Sequence, residues 1–187
     1  KQAYQAGYQH VKLYFMIGLP GETQADIDGI VELAHTVSQL RREVCGRAAE
    51  VHISINALIP KPHTAFQWMP MESLESVQAK QEHLKSRLHA RKFKLSFHHR
   101  QMSFLEGVFS RGDRALAGVV ATAYRKGCRF DGWQEHFHLE RWMEAFAESG
   151  VQPQDYLRGR DFQEPLPWDF LDTGVAKERL CDEARKV

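Results

Sequence analysis

The stretch 18–23 carries the residue types and spacing that bear most directly on chemistry. Gly18, Pro20 and Gly21 form a tight turn between a predicted strand and a predicted helix. The backbone N–H groups of such a turn, together with the helix dipole, can hold a carboxylate or a phosphate. Glu22 adds an acceptor for an amino group or a ribose hydroxyl. The same residues also suit an ordinary strand-to-helix loop, so local chemistry leaves both interpretations open.

A second candidate stretch, 60–68, follows the next predicted strand. Lys61, His63 and Thr64 stand directly beyond the carboxyl end of that strand. Ligands of parallel α/β folds gather at this end of the strands, which would make these side chains functional. A purely structural loop would instead serve to pack Phe66 and Trp68. Both interpretations stay open at this point.

The spacing of cysteine and histidine does not predict a metal site. The thiols Cys45, Cys128 and Cys181 are scattered and include no CxxC or CxxxCxxC pair. The closely spaced pairs His98–His99 and His136–His138 lack the i, i+4 spacing of a helical metal pair. An odd number of dispersed thiols is a poor disulfide framework. We therefore expect the reducing cytoplasm as the location.

Two predicted strand–helix units position the candidate residues. Residues 11–17 are apolar at all but Lys12, which is typical of a parallel strand covered on both faces. Thr23 and Asp26 form a capping box that begins the following helix. In 51–59 the odd positions are apolar, whereas the polar face, with Asn56, must look into something wet or functional, such as the interior of a barrel.

Composition and length narrow the class of protein. The 187 residues carry a formal net charge of +1, with 43% hydrophobic and 26% charged residues, which excludes a disordered chain. The longest apolar runs are too short for a membrane span, so no membrane partner is expected. The sequence pattern changes near residue 100, after which it is typical of helices. This predicts β/α units over 1–100 and a mostly helical region over 101–187. The chain opens at Lys1 and enters a strand almost at once, as expected of a fragment.

A basic segment, 87–100, suggests a different class of function. Its lysines, arginines and histidines are interleaved with Phe93 and Phe97, a combination that can bind a polyanion. A solvated helix end explains the same charges. The corresponding alternative is a standalone, non-catalytic module that binds RNA or a protein partner through this segment.

Several motifs resemble one enzyme superfamily. Residues 12–23, K-L-Y-F-M-I-G-L-P-G-E-T, resemble the fifth strand and turn of radical S-adenosylmethionine (SAM) enzymes, most closely those with an N-terminal cobalamin-binding domain. Residues 60–68 resemble the sixth-strand exit of an uncharacterised family in that group. Five further motifs of this chain resemble the C-terminal region of that family: S-F-L-E at 103–106, R-G-D-R at 111–114, F-D-G-W at 130–133, P-W-D at 167–169 and T-G-V at 173–175.

The resemblance implies a fold and a reaction. The fold would be α/β, the C-terminal part of a parallel (β/α) barrel of partial TIM type, followed by a mostly helical region. In that superfamily a [4Fe–4S] cluster on a CxxxCxxC loop reductively cleaves SAM, and the resulting radical abstracts hydrogen from a substrate. This chain lacks that loop, so the cluster ligands would lie in a missing N-terminal half of the barrel, and the chain alone would be inactive. Cobalamin is a further candidate cofactor.

The resemblance also implies site residues. Gly18, Pro20, Gly21 and Glu22 would lie near the SAM pocket, with Asn56 and Leu58 lining it from the sixth strand. His63 and Thr64 would form the substrate rim. The resemblance identifies neither catalytic residues nor the substrate.

Overall fold

The computed structural model describes residues 1–186, which divide into two compact units. The first comprises 1–58 and 72–100, and the second comprises 59–71 together with the residues from 101 onward. The sequence-based division at residue 100 places 59–71 with the strands, whereas in the structure this segment clusters with the later helices. The reason is that Trp68 packs in one apolar cluster with Leu166 and Trp168.

The first unit is a small parallel α/β sheet with its connecting helices. Its strand order is β1-β2-β3 and both pairings are parallel. The elements in chain order are α1 Gln2–Gln5, β1 His10–Ile17, α2 Gln24–Cys45, β2 Glu50–Ala57, α3 Leu74–Arg87 and β3 Phe93–Phe97. The predicted α/β class with a parallel sheet is confirmed. Within the described residues the sheet has three strands and is not a complete barrel.

Helix α2 begins where the capping box predicts. The Thr23 N–H and hydroxyl donate to Asp26 Oδ2 at 2.8 and 2.7 Å, so the first turn is closed by side-chain bonds. Gly46 ends the helix in the left-handed region, at φ 72°. This start fixes which face of α2 turns inward, and Ile27 and Ile30 are buried on it.

One face of the sheet carries the core of the first unit. Val51, Ile53 and Ile55 of β2 are fully buried, and α2 packs against β1 and β2. Each such side chain contributes about 1.5–3 kcal/mol on burial. The register pairs Leu13 with Ile53 and Ile53 with Leu95. A slip by one residue would turn these apolar side chains to the opposite face, so the core fixes the register.

Among the described residues of the first unit no element covers the opposite face of the sheet, called here the uncovered face, which corrects the prediction that β1 is covered on both sides. Tyr14 is 69% exposed and Met16 is 49% exposed, whereas Leu13 and Phe15 are half-buried against the core. Tyr14 and Met16 stand at even positions and are largely apolar, and for this reason the sequence predicts burial of both faces of the strand. Among the described residues β1 is also an edge strand, because its only sheet partner there is β2.

The second unit is helical. Its elements are a 3-10 turn at Ala65–Trp68 and the helices α4 Arg100–Ser110, α5 Leu116–Arg125, α6 Leu139–Glu148, α7 Gln154–Leu157 and α8 Lys177–Ala184. Buried Arg111 joins the loops of this unit by donating to the carbonyls of Met69 at 2.6 Å and Arg158 at 2.9 Å. Burial, reinforced by Arg160, lowers the pKa of Arg111 to about 10. None of the helices between residues 1 and 186 has the length and apolar character needed to cross a membrane.

Candidate functional site

The turn after β1 folds around a carboxylate of its own. Gly18 has φ 81°, and its N–H donates to Glu22 Oε2 at 3.0 Å. The backbone conformation therefore favours glycine here, and a Cβ would lie 2.7 Å from Glu72 Oε2, the end of a flexible side chain that would have to shift. The sequence predicts that this N–H can hold an anionic group of a ligand. In the structure it is bonded to Glu22 instead.

Glu22 does bind an amino group, that of Lys80 on α3. Lys80 Nζ lies 2.6 Å from Glu22 Oε2 and 2.6 Å from Glu72 Oε1. Burial lowers the pKa of Lys80, but hydrogen bonds to Glu22 and Glu72 outweigh it and leave that pKa raised. The Ser76 hydroxyl also donates to Glu72 Oε1, at 2.6 Å. Two carboxylates surround one ammonium, so the excess charge at this turn is negative and favours a cationic ligand group.

The carboxyl ends of β1 and β2 bring most of the predicted cofactor residues to one edge of the sheet. Asn56 pairs with Met16 in the register and is exposed on the uncovered face. Leu58 is different, because it is buried and its N–H donates to the Ile17 carbonyl at 2.8 Å. A groove of about 500 Å³ runs beside Pro20 and Gly21 and continues along α2. Of the predicted cofactor residues, all but Leu58 are therefore either accessible at this edge of the sheet or part of the turn that follows β1.

The uncovered face presents polar side chains in rows across the three strands. Lys12, His52 and Lys94 form one row in the register, and Ser54 and Ser96 lie in the next row beside Tyr14. The prediction that the polar face of β2 lies opposite the core is confirmed, since Val51, Ile53 and Ile55 fill the core. This face therefore offers hydrogen-bonding and cationic groups to a ligand or to a further part of the protein that packs on it.

The amino end of the same face carries a cluster that residue spacing does not predict. His52 Nε2 lies 2.8 Å from Glu50 Oε1, and His10 Nδ1 lies 3.7 Å from the same oxygen. Lys94 Nζ approaches the other carboxylate oxygen at 3.0 Å. Hydrogen bonds from His52 and Lys94 hold the pKa of Glu50 below its ordinary value. His10 and Glu50 are 40 positions apart in the numbering but register partners, and only the pairing of the strands reveals it.

In the second unit, three separate motifs line one groove. It measures about 850 Å³, and its walls include Pro62 and His63, the stretch 112–114 and the pair Pro167–Trp168. His63 has φ 57°, a strained value for a non-glycine residue. Its Nε2 is buried, and no polar atom of residues 1–186 hydrogen-bonds it. An unpaired nitrogen on a strained residue in a groove is a feature of binding sites.

Thr64, the other predicted rim residue, has a structural task. Its hydroxyl donates to the Lys61 carbonyl at 2.7 Å, and the His63 N–H donates to Gln67 Oε1 at 3.0 Å. Gln67 Oε1 also accepts from Trp168 Nε1 at 2.7 Å. These bonds fix the backbone that presents the His63 imidazole, so of the two rim residues His63 is the one that lines the groove.

Part of the basic segment is engaged in ion pairs or buried in the structure. Phe93 is 6% exposed and so cannot stack on a base, and Lys94 is paired with Glu50. Arg87 lies 3.9 Å from Asp28. Binding of RNA or protein through 87–100 stays a prediction, to which these contacts add no support.

The thiols of this chain do not fit an iron–sulfur cluster. Cys45 is exposed in the first unit, whereas Cys128 and Cys181 belong to the second and are buried and half-buried. Within residues 1–186, a single group of three potential ligand side chains lies close enough together for one ion, formed by His10, Glu50 and His52. No step that needs a cluster can therefore be assigned to residues of this chain.

Comparison with known proteins gives one relative. The chain is 27% identical over 146 residues to the uncharacterised protein MJ0966 of Methanocaldococcus jannaschii. The alignment covers 78% of this chain and 31% of the relative, so the chain matches about a third of the relative's length. No family model and no solved structure matches the chain.

Proposed function

We propose that this chain is the C-terminal part of a radical SAM enzyme, in which residues 1–100 supply the last β/α units of a barrel. The observation that carries the proposal is the uncovered face of the sheet together with the outer edge of β1, which pairs with no strand among residues 1–186. Parallel sheets are normally covered on both faces or closed into barrels, because open edges and faces favour uncontrolled association. Further strands of the same protein would provide that closure here.

The surface beside β1 supports a continuing barrel. Leu33 on α2 is exposed, as is Leu19 in the turn, and the groove between α2 and the outer edge of β1 includes both. An additional strand pairing with β1 would bring its own helix against this apolar surface, as each β/α unit does in such folds. The relative's length, of which the alignment covers 31%, leaves room for such units.

The assignment of SAM rests on the resemblance of 12–23 and is supported by the charge at the strand ends. SAM carries a net positive charge, from a sulfonium and an ammonium group against one carboxylate, and its cationic groups suit the excess negative charge of Glu22 and Glu72 around Lys80. Since Gly18 and Glu22 are engaged with each other, they act as positioning residues that fix the turn. Asn56, exposed beside Met16, would contact the cofactor directly.

The cofactors divide between this chain and the remainder of the proposed protein. Bound SAM would supply the radical after its reductive cleavage, and the cluster that reduces it would be held outside this chain. Cobalamin belongs to the same proposal through the resemblance alone. Residues of this chain would orient SAM at the strand ends and exclude water from it. His63, which lines the groove of the second unit, is the candidate for substrate recognition that the resemblance implies.

The test is SAM binding by the complete protein that contains this chain, reconstituted without oxygen and measured by equilibrium dialysis. Asn56→Ala removes an exposed amide and should weaken SAM binding about tenfold, the effect of about 1.4 kcal/mol of hydrogen bonding. Thr36→Ala, at an exposed position of α2, is the matched control and should bind as the wild type does. Equal binding by both variants, or no SAM binding by the wild type, would overturn the proposal.

A further inference from the structure

We propose that His10, Glu50 and His52 bind one divalent first-row transition-metal ion at the amino ends of β1 and β2. The inference does not depend on the SAM proposal. It rests on a group of side chains whose potential ligand atoms all lie within 4.8 Å of one another.

The register of the parallel strands assembles the group. His10 of β1 is the direct partner of Glu50 of β2. His52 lies two positions after Glu50, and side chains two apart on a strand point to the same face. All three side chains therefore project from the uncovered face of the sheet, beside one another and away from the core. The backbone places them there without any strained residue in the group.

The separations between the ligand atoms are close to those around a bound ion. Metal–ligand bonds of about 2.1 Å put neighbouring ligand atoms about 3.0 Å apart in octahedral geometry and about 3.4 Å apart in tetrahedral geometry. Glu50 Oε1 lies 2.8 Å from His52 Nε2 and 3.7 Å from His10 Nδ1. The ligand atoms of the two histidines lie within 4.8 Å of each other. Rotations of the exposed side chains of His10 and His52 would bring the three distances into that range, with the ion replacing the His52–Glu50 hydrogen bond.

The donor set selects the class of ion. Two imidazoles and one carboxylate suit Zn²⁺, Fe²⁺, Co²⁺ and Ni²⁺, whereas Mg²⁺ and Ca²⁺ prefer oxygen ligands. Within the described residues the remaining coordination positions are open, because His10 and His52 have side chains that are 68% and 42% exposed. Such a site keeps open positions for water or for a further ligand.

A neighbouring cation modulates the site. Lys94 Nζ lies 3.0 Å from Glu50 Oε2, the carboxylate oxygen that does not face the histidines. The ammonium leaves Oε1 available but repels a divalent ion. Removing its charge should therefore strengthen metal binding, the opposite of what loss of a ligand does.

The proposed site is distinct from the turn that follows β1. His10 begins the strand and Ile17 ends it, so the two ends are about 23 Å apart at about 3.3 Å per residue. Variants at the amino end should therefore leave the turn and its neighbours unchanged. Failure of metal binding would not bear on the SAM proposal, and failure of SAM binding would not bear on the metal site.

The experiment is a titration of the 187-residue chain with Co²⁺, followed by visible absorption, and with Zn²⁺, followed by calorimetry. The wild type should bind one equivalent of each ion and show the absorption of histidine-coordinated Co²⁺. His52→Ala and Glu50→Gln should lower the affinity at least tenfold, and Lys94→Gln should raise it several-fold. His83→Ala is the matched control and should bind as the wild type does, because His83 pairs with Asp28 at 2.7 Å but lies outside the group.

Thermal unfolding distinguishes loss of the site from loss of the fold. Zn²⁺ should raise the Tm of the wild type, His83→Ala and Lys94→Gln, because a ligand that binds the native state stabilises it. The same ion should leave the Tm of His52→Ala unchanged, while the metal-free variant still unfolds cooperatively. Absence of binding by the wild type would overturn the proposal. Equal affinity in His52→Ala and His83→Ala would do the same, since it would show only scattered surface histidines.

Discussion

Lys80 Nζ donates to Glu22 Oε2 at 2.6 Å and thereby ties the turn after β1 to helix α3, 58 positions further along the chain. The same carboxylate oxygen accepts from the Gly18 N–H. The shape of the turn is therefore set by a tertiary contact as well as by its glycines. Any cofactor that lies at this end of the strands would meet a surface fixed by these three residues.

Replacing the ammonium should destabilise the first unit. Lys80→Gln leaves the Glu22 side chain, which is 6% exposed, without its cation. Breaking a buried pair from one side costs about 3–5 kcal/mol, and the partial exposure of Lys80 places the expected loss near the lower end. Urea unfolding measures it. Lys85→Gln, at an exposed position of the same helix, should change the free energy of unfolding by less than about 1 kcal/mol. Equal losses in both variants would refute the role given to Lys80.

The same pair predicts a pH dependence at the alkaline end. The pKa of Lys80 in the folded protein lies above its ordinary value of 10.5. Its stabilising contribution is therefore complete below pH 10.5 and is lost as the pH rises through the raised value. The wild type should lose more free energy of unfolding than Lys80→Gln over that window. Parallel losses in the two proteins would show that other groups control alkaline unfolding.

A side chain at Gly18 should destabilise the protein. In Gly18→Ala the φ of 81° strains the backbone and Glu72 Oε2 has to move away from the new Cβ, and we expect a loss of about 1–3 kcal/mol, mostly from the backbone. Gly29→Ala, inside α2, meets open space within the described part of the chain and should stabilise the protein by about 0.5–1 kcal/mol. Opposite signs in chemical unfolding are the expected result. A neutral Gly18→Ala variant would mean that the turn rearranges freely.

The strained backbone at His63 predicts how a glycine at this position changes the free energy of unfolding. Because φ is 57° there, His63→Gly should relieve strain and keep the free energy of unfolding within about 1 kcal/mol of the wild type or raise it. The N–H that donates to Gln67 remains in the variant. A loss above about 2 kcal/mol would instead assign the imidazole a packing role and remove the argument for a binding groove.

Local rules predict the parts of this fold that depend on neighbouring residues. The Thr23–Asp26 capping box and the alternation over 51–59 predicted the start of α2 and the buried face of β2, and both are confirmed. What the sequence could not show depends on partners far along the chain. Tyr14 and Met16 look buried until their neighbours are known, and His10 meets Glu50 only through the register of two strands.

The candidate site divides in the same way. The turn 18–23 and the polar side of β2 were identified from residue types, because glycine, proline and alternating polarity have local causes. Residue types could not identify the partner of Glu22, since Lys80 comes from helix α3. The groove around His63 draws on residues near 112 and 168, which no spacing rule connects.

The most direct measurement is the formation of 5′-deoxyadenosine from SAM by the complete protein that contains this chain, reconstituted without oxygen and supplied with a reductant. We expect SAM cleavage, together with a CxxxCxxC loop in the part of the protein that precedes Lys1. A complete protein that lacks such a loop and releases no 5′-deoxyadenosine would contradict it.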